Sequence, residues 1–433
     1  MNRKIAILTI LASIGLAQDT LKLTLHDAIV LALRQNPVVI LANLGVSQSE
    51  QERRIARSAL LPQINGNASE TVHRINLDTA IGLSFPGFPQ HIGPFYVFQV
   101  GTGFNAAVFD LTLWRRYRSS GIGIDTSRAQ ESTAREESVL LVVSQYLGSQ
   151  RAAADVQAAQ SRVSLAQALY DQAADMQKNG VGTGIDTLRA NVELQNEKQR
   201  LIVARTQMET SLFGLSRLLN VDPHRTIELA DQASFSETPA TASDQTLERA
   251  YSTRPELRQL LAQEERAALD LRTAADERLP KLTLNGLWVE QGLTPASSIP
   301  VYQYTASLDF PLFTGGRIQA QRAQASLQIR QLKQQEQDLR NRIALEVKTA
   351  IARLDSARSE VDVAKQGVGL AQQELEQARD RFQAGVANNI EVITAQDALS
   401  RANDNQIDAL YRYNQARADL AHATGQMESL YAH

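Results

Sequence analysis

Two stretches of the chain return an apolar residue every seven positions. In the later one, Val347, Leu354, Val361, Val368, Leu375 and Phe382 form a row, and Ala350, Ala357, Ala364, Ala371 and Ala378 follow three residues behind its first five members. In the earlier one, Val142, Val156, Val163 and Tyr170 are the large row and Ala152, Ala159, Ala166 and Ala173 the small one, with Ser149 interrupting the large row. A sustained period of about 3.5 residues predicts a coiled-coil seam, and Ala layers admit close antiparallel neighbours. No proline falls in 95–222 or 312–433. Long helices are therefore predicted over 115–179 and 317–384, ~100 Å each at ~1.5 Å per residue. Shorter helices are expected over 24–35, 39–60, 186–218, 246–278 and 391–424. Placed end to end, 39–60 and 186–218 nearly cover one long helix. Each long helix is thus expected to pair with two shorter ones, with the turns at Gly180 and Gly385 at one end and the strands leaving at the other.

A second period, of two residues, marks the strands. Tyr96, Phe98, Val100, Thr102, Phe104, Ala106 and Val108 alternate with Gln99, Gly101, Gly103 and Asn105. Tyr302, Tyr304, Ala306, Leu308 and Phe310 alternate with Gln303, Thr305, Ser307 and Asp309, and Leu282, Leu284 and Trp288 with Thr283 and Asn285. This predicts strands over 96–110, 281–291 and 301–311, each with one apolar and one polar face. A fourth is expected over 62–77, where the alternation is poor. Residues 79–109 hold no Asp, Glu, Lys or Arg, and 14 of the 23 aromatics lie in 81–117 and 281–313. Either a soluble sheet buries this aromatic face against helices, or a membrane barrel turns it to lipid. The long helices already spend their apolar seams on each other, which favours the barrel. Four strands cannot close one, since the smallest bacterial barrels have about eight, and an open edge is not tolerated in lipid. The chain must then oligomerise, to eight strands as a dimer or twelve as a trimer.

The chain is also duplicated. Thr24-Leu25-His26-Asp27-Ala28 returns as Thr246-Leu247-Glu248-Arg249-Ala250, Asn36-Pro37 as Arg254-Pro255, Leu61-Pro62 as Leu279-Pro280, and Phe109 as Phe313. Gly180 and Asp186 match Gly385 and Glu391. A first repeat over 18–220 and a second over 246–425 follow, with 221–245 as a linker or equatorial segment and 426–433 as a C-terminal tail.

Composition narrows the function. The net charge of −3 argues against a nucleic-acid surface. The absence of Cys excludes disulfides, thiolate metal sites, Cys nucleophiles and an N-terminal lipid-modified Cys. Met1-Asn2-Arg3-Lys4, the apolar run Ile5–Leu16 and the small-residue site ending at Ala17 read as a signal peptide over 1–17; a membrane helix needs about 20 apolar residues. No later stretch is that long, so a membrane crossing would be made by strands. The six His lack metal spacing, Gly101-x-Gly103 and Gly121-x-Gly123 lack the strand–helix dinucleotide context, and no acid–base pair or nucleophile is positioned. No cofactor, metal or enzymatic activity is expected.

The duplication, the Leu-Pro before each first strand, and the turns Asn179–Asp186 and Phe382–Glu391 together make the chain resemble the TolC-like outer-membrane efflux protein family over about 22–425. The resemblance implies a mainly α chain with a membrane β-barrel: a homotrimeric, 12-stranded outer-membrane barrel, four strands per chain, continuous with a long periplasmic α-helical barrel. It implies a passive exit duct for efflux or type I secretion, docked to a periplasmic adaptor (membrane fusion) protein and an inner-membrane pump of the RND, ABC or MFS type, with outer-membrane lipid around the strands. Family adaptor contacts map to Gly180, Asp186, Leu188, Gly385, Glu391 and Ile393, and the pore mouth to Glu391, Thr394, Asp186 and Phe382. Thr394 replaces a second mouth acid, and Phe382 and Ala387 stand where relatives lock the mouth with Tyr and Arg. The closed state is therefore expected to rest on Val/Leu–Ala packing, with Glu391 forming a ring of three carboxylates. Capping of the returning helices is the alternative role for Asp186 and Glu391. A soluble periplasmic coiled-coil adaptor is the rival for the whole chain.

Overall fold

The seven-residue rows become buried helix faces. The computed structural model describes residues 20–82, 87, 89–231, 234–235, 243–384, 386–387 and 389–432; the expected signal peptide, 1–17, lies outside them. In chain order the elements are β1 (Leu21–Leu23), α1 (Leu25–Gln35), α2 (Pro37–Ser58), β2 (Gln63–Asn76), α3 (Leu77–Ile81), β3 (His91–Phe109), α4 (Leu111–Lys178) and α5 (Gly184–Leu218), then β4 (Ile227–Leu229), α6 (Ser243–Thr253), α7 (Pro255–Asp276), β5 (Lys281–Gly292), β6 (Ile299–Asp309), α8 (Arg317–Gln383), α9 (Asn389–Ala423) and α10 (Met427–Tyr431). Pro255 lacks a backbone donor and biases Arg254 away from helical angles, so the helices expected over 246–278 are divided there into α6 and α7. Pro37 separates α1 from α2 in the same way. The chain forms two compact units, one of Asn43–Glu131 with Glu256–Leu339, the other of the remaining segments.

The first unit holds a four-stranded antiparallel sheet in the order β2-β3-β5-β6. Its register sorts the residues by face. Phe104 is paired with Ile64 and Gly286, Thr102 with Gly66 and Trp288, and Trp288 in turn with Tyr302. One face therefore carries Ile64, Val72, Tyr96, Phe104, Trp288, Tyr302, Tyr304 and Leu308; the other carries Asn65, Asn67, Gln99, Asn105, Asn285, Gln303 and Thr305. Pairing with β3 settles what alternation alone left obscure in β2, where Glu70 lands on the apolar face opposite Phe98. The ring of Phe104 lies over Gly286, where a Cβ would come within 2.0 Å of it, and Phe104 continues to Tyr304 with ring centres 6.3 Å apart. The strand–helix junctions are fixed by charge. Asp110 caps α4 through the Thr112 amide at 2.8 Å and pairs with Lys281 at 3.3 Å, while Arg115 pairs with Asp276 and Arg317 with Glu277.

The second unit has its core where Ala28, Ile29 and Ala32 of α1 meet Val139, Val142, Val143 and Tyr146 of α4, Leu215 of α5 and Met427 of α10. Two features here add to the sequence expectation. Residues 227–229, inside the expected linker, form a strand parallel to β1, pairing Leu21 with Ile227 and Leu23 with Leu229. Asp231 then accepts from the Leu25 amide at 2.7 Å and from Tyr146 at 3.3 Å. Burial, with Asp231 beside it, pushes the Tyr146 phenol above its ordinary value. Within the C-terminal tail, Met427–Tyr431 form the helix α10. Met427 is fully buried, Glu136 accepts from the Met427 amide at 2.7 Å, and Arg135 pairs with Glu428. Buried apolar area and satisfied amides outweigh the entropy of a short terminal helix.

Candidate pore mouth at the helical turns

Each long helix of the second unit ends in the same way. After Lys178, the Val181 amide reaches back to the Met176 carbonyl at 3.0 Å and the Gly180 amide to Gln177 at 3.1 Å. This Schellman pattern requires a left-handed residue, and Gly180 has φ +75°. After Gln383 the Val386 amide bonds the Arg381 carbonyl at 3.0 Å; Gly385 itself lies outside the described residues. The returning helices α5 and α9 then end with matching caps, at Asn220 and Gly425, both with positive φ.

The predicted residues separate into two groups. Phe382 packs with Leu375 and Ala378 of α8, Leu165 and Leu169 of α4, and Val392, Ala395 and Leu399 of α9. That cluster joins α8 and α9 to α4. Ile393 is half-buried beside it. Leu188 is exposed, as are Val181, Ile185, Val192, Val386 and Ile390, so the ends of the hairpins present large apolar side chains to solvent. The polar residues are locally engaged. Thr183 donates its hydroxyl to Asp186, whose amide bonds the Thr183 carbonyl at 3.1 Å; both contacts are local to the first turn of α5, and Thr183 makes no side-chain cap bond. Thr394 donates to the Ile390 carbonyl at 2.9 Å within its own helix.

Glu391 has a partner that the sequence reading missed. Arg381 Nε lies 2.9 Å from Glu391 Oε1, across the turn from α8 to α9. Glu391 is therefore compensated within its own chain rather than presented as a bare carboxylate. The signal was in the sequence, a basic residue beside Phe382 and ten positions from the acid, but nothing in the helical period says that two residues flanking a turn face each other. Among the described residues no group of His, Asp or Glu is arranged to hold a metal ion, and no single helix is long and apolar enough to cross a membrane.

Comparison with known proteins fits this architecture. The model of the family described as "Outer membrane efflux protein" matches residues 28–221 and 246–426. The chain belongs to the outer membrane efflux protein family. The alkaline protease secretion protein AprF of Pseudomonas aeruginosa is 24% identical over 429 residues, covering 95% of this chain and 86% of AprF. The outer membrane efflux protein BepC of Brucella suis is 21% identical over 430 residues, covering 95% and 87%. Among solved structures, the CmeC outer membrane channel of Campylobacter jejuni superposes with a TM-score of 0.80 at 19% identity, over 93% of this chain and 85% of CmeC. The outer membrane protein VceC of Vibrio cholerae gives 0.77 at 18% identity, over 93% and 96%. The fold is that of the TolC-like channels, and the protein is an outer-membrane efflux or secretion channel with its helical part in the periplasm. Members of this family are channel proteins rather than enzymes; they are homotrimers that work with periplasmic adaptors and inner-membrane pumps. The rival reading as a soluble adaptor is set aside: Tyr96, Trp288, Tyr302, Tyr304 and Leu308 are all exposed on one sheet face.

Proposed function

We propose that three copies pool their strands into one twelve-stranded barrel. The unpaired edges of β2 and β6 are satisfied by neighbouring copies, the aromatic face lies against outer-membrane lipid, and the amide- and hydroxyl-rich face lines the lumen. The single observation that carries this reading is the bias of the faces: an exposed row of Tyr, Trp, Phe and Leu on one side, interrupted by Glu70 and Glu290, and a predominance of Asn, Gln and Thr on the other, with Leu287, Val289 and Val301 among them. The duct serves an inner-membrane pump of the RND, ABC or MFS type through an adaptor, and the cargo is set by that pump. The exposed apolar residues around Leu188, with Val181, Val386 and Ile390, are the adaptor's docking surface, presented by the Gly180 and Gly385 turns with Asp186, Glu391 and Ile393 beside them. Phe382 and its cluster hold the mouth closed by packing, with Thr394 replacing a charge there.

At the mouth, Glu391 and Arg381 act as a pair. Planar-bilayer recordings of the purified trimer test this. A carboxylate ring attracts cations, so Arg381→Ala, which bares Glu391, is expected to increase block by millimolar magnesium added on the periplasmic side. Glu391→Ala is expected to abolish that block. Identical block in wild type and both variants would remove Glu391 from the mouth. Recovery of the native chain as a soluble monomer without detergent would overturn the channel reading itself.

A further inference from the structure

Between α4 and α9 runs a groove of about 490 Å³ whose lining includes Ser161, Arg162, Leu165, Gln396 and Ser400. Arg162 is its only charged lining residue, and its side chain is mostly buried. The guanidinium links α4 to two other helices. On α5, its Nε stands 3.3 Å from Glu197 Oε2. On α9, a terminal nitrogen donates to Asp404 Oδ1 at 2.8 Å and to Ser400 Oγ at 3.2 Å. Glu197 is 2% exposed and its other oxygen is taken by Arg200. Eleven residues earlier on α4, Arg151 repeats the link to α9 through Asp408 at 2.7 Å and lies over the ring of Tyr411.

The two halves of this contact differ in kind. The Glu197 half is buried and joins α4 to α5 within one hairpin. The Asp404 half joins that hairpin to the other, and its carboxylate is 52% exposed, so it can be released into water at little cost. The site is also incompletely satisfied: Arg162 Nε and Glu197 Oε2 face each other without hydrogen-bond geometry, and buried Gln396 Oε1 on α9 has no donor. Arg162 precedes Gly180 by 18 residues, ~27 Å along the helix. At the turns the hairpins meet through Leu, Val and Phe, contacts that are non-directional and let helices slide. A guanidinium shared between fixed oxygens sets register instead.

We propose that Arg162 is a positioning residue for the closed channel: a releasable strut that anchors to Glu197 in the first hairpin and holds α9 of the second through Asp404 and Ser400. Opening the mouth requires α9 to leave this contact, while the Glu197 anchor keeps the buried charge paired in both states. The proposal rests on the channel reading above.

The test is bilayer conductance of the full-length trimer carrying Asp404→Asn together with Ser400→Ala. Arg162 stays paired with Glu197, so no buried charge is orphaned and folding is not challenged. Open-state occupancy is expected to rise about tenfold, in the usual range for coupling between two conformational states. Asp404→Glu is expected to keep wild-type gating. Glu197→Gln is expected to lower the melting temperature without raising conductance. An assembled double variant with wild-type occupancy overturns the strut and leaves the channel intact. A wild-type trimer that never conducts overturns the channel reading, and the strut with it.

Discussion

Tyr304 and Thr305 are neighbours in β6 that point to opposite sides of the sheet. Tyr304 is paired with Gly286 in the row that continues to Phe104, and Thr305 with Asn285 in the row of amides. Tyr304 is also central: five residues separate it from each end of Ile299–Asp309. Five residues rise about 17 Å along a strand. At a tilt of about 40° that is ~13 Å along the barrel axis, half of an apolar band about 25 Å tall. Tyr304→Arg therefore places a guanidinium near the bilayer midplane, at a cost of about 2–4 kcal/mol per chain and ~6–12 kcal/mol for three copies. Thr305→Arg faces water in the lumen and carries no such term. The assay is refolding into lipid vesicles over a urea series, read by the heat-sensitive gel mobility of the assembled trimer. Tyr304→Arg is expected to shift the midpoint strongly or prevent assembly, and Thr305→Arg to leave it within experimental scatter. Equal tolerance at the two positions, or the reverse order, would refute the assignment of lipid and lumen faces.

Two further outcomes follow from local chemistry. Gly180 adopts φ +75° with open space where a Cβ would stand, so Gly180→Ala is strained only through its backbone, by about 1–2 kcal/mol. Hydrogen exchange over 176–186 is expected to speed up in Gly180→Ala and much less in Gly180→Asn; equal rates would contradict the left-handed cap. Burial holds the Glu136 carboxyl above its ordinary value, although the amides of Met427 and Glu428 bond to it and His422 lies nearby. An acid raised by folding binds its proton more tightly in the folded state. Its unfavourable contribution is therefore absent below the ordinary glutamate value and grows as pH rises through the folded one. Glu136→Gln keeps an acceptor without the charge. The melting temperature of wild type relative to this variant is expected to rise as pH falls from neutrality to the ordinary glutamate value, and a pH-independent difference would refute the assignment.

What the sequence determined by itself was periodicity, and periodicity states which face of an element is apolar. The 3.5-residue rows, the alternation in β3, β5 and β6, the Gly at the first turn and the offset copies are all readable in one dimension, because each depends on residues within a few positions of one another. The family was legible for the same reason: its signature is a duplicated order of local patterns. The pairing across elements was not legible. Glu70 belongs to the apolar face of β2 only because β3 fixes the register. Glu391 is compensated only because a tight turn brings Arg381 beside it, and Arg162 meets Asp404 across 242 positions of chain because α4 and α9 lie side by side. The α10 helix shows the same limit at small scale, since five residues hold no period to read and their order comes from Glu136, Arg135 and the core that receives Met427. Side-chain reach is a few ångströms and contour length is not distance, so the charged contacts between helices were decided by the tertiary fold alone.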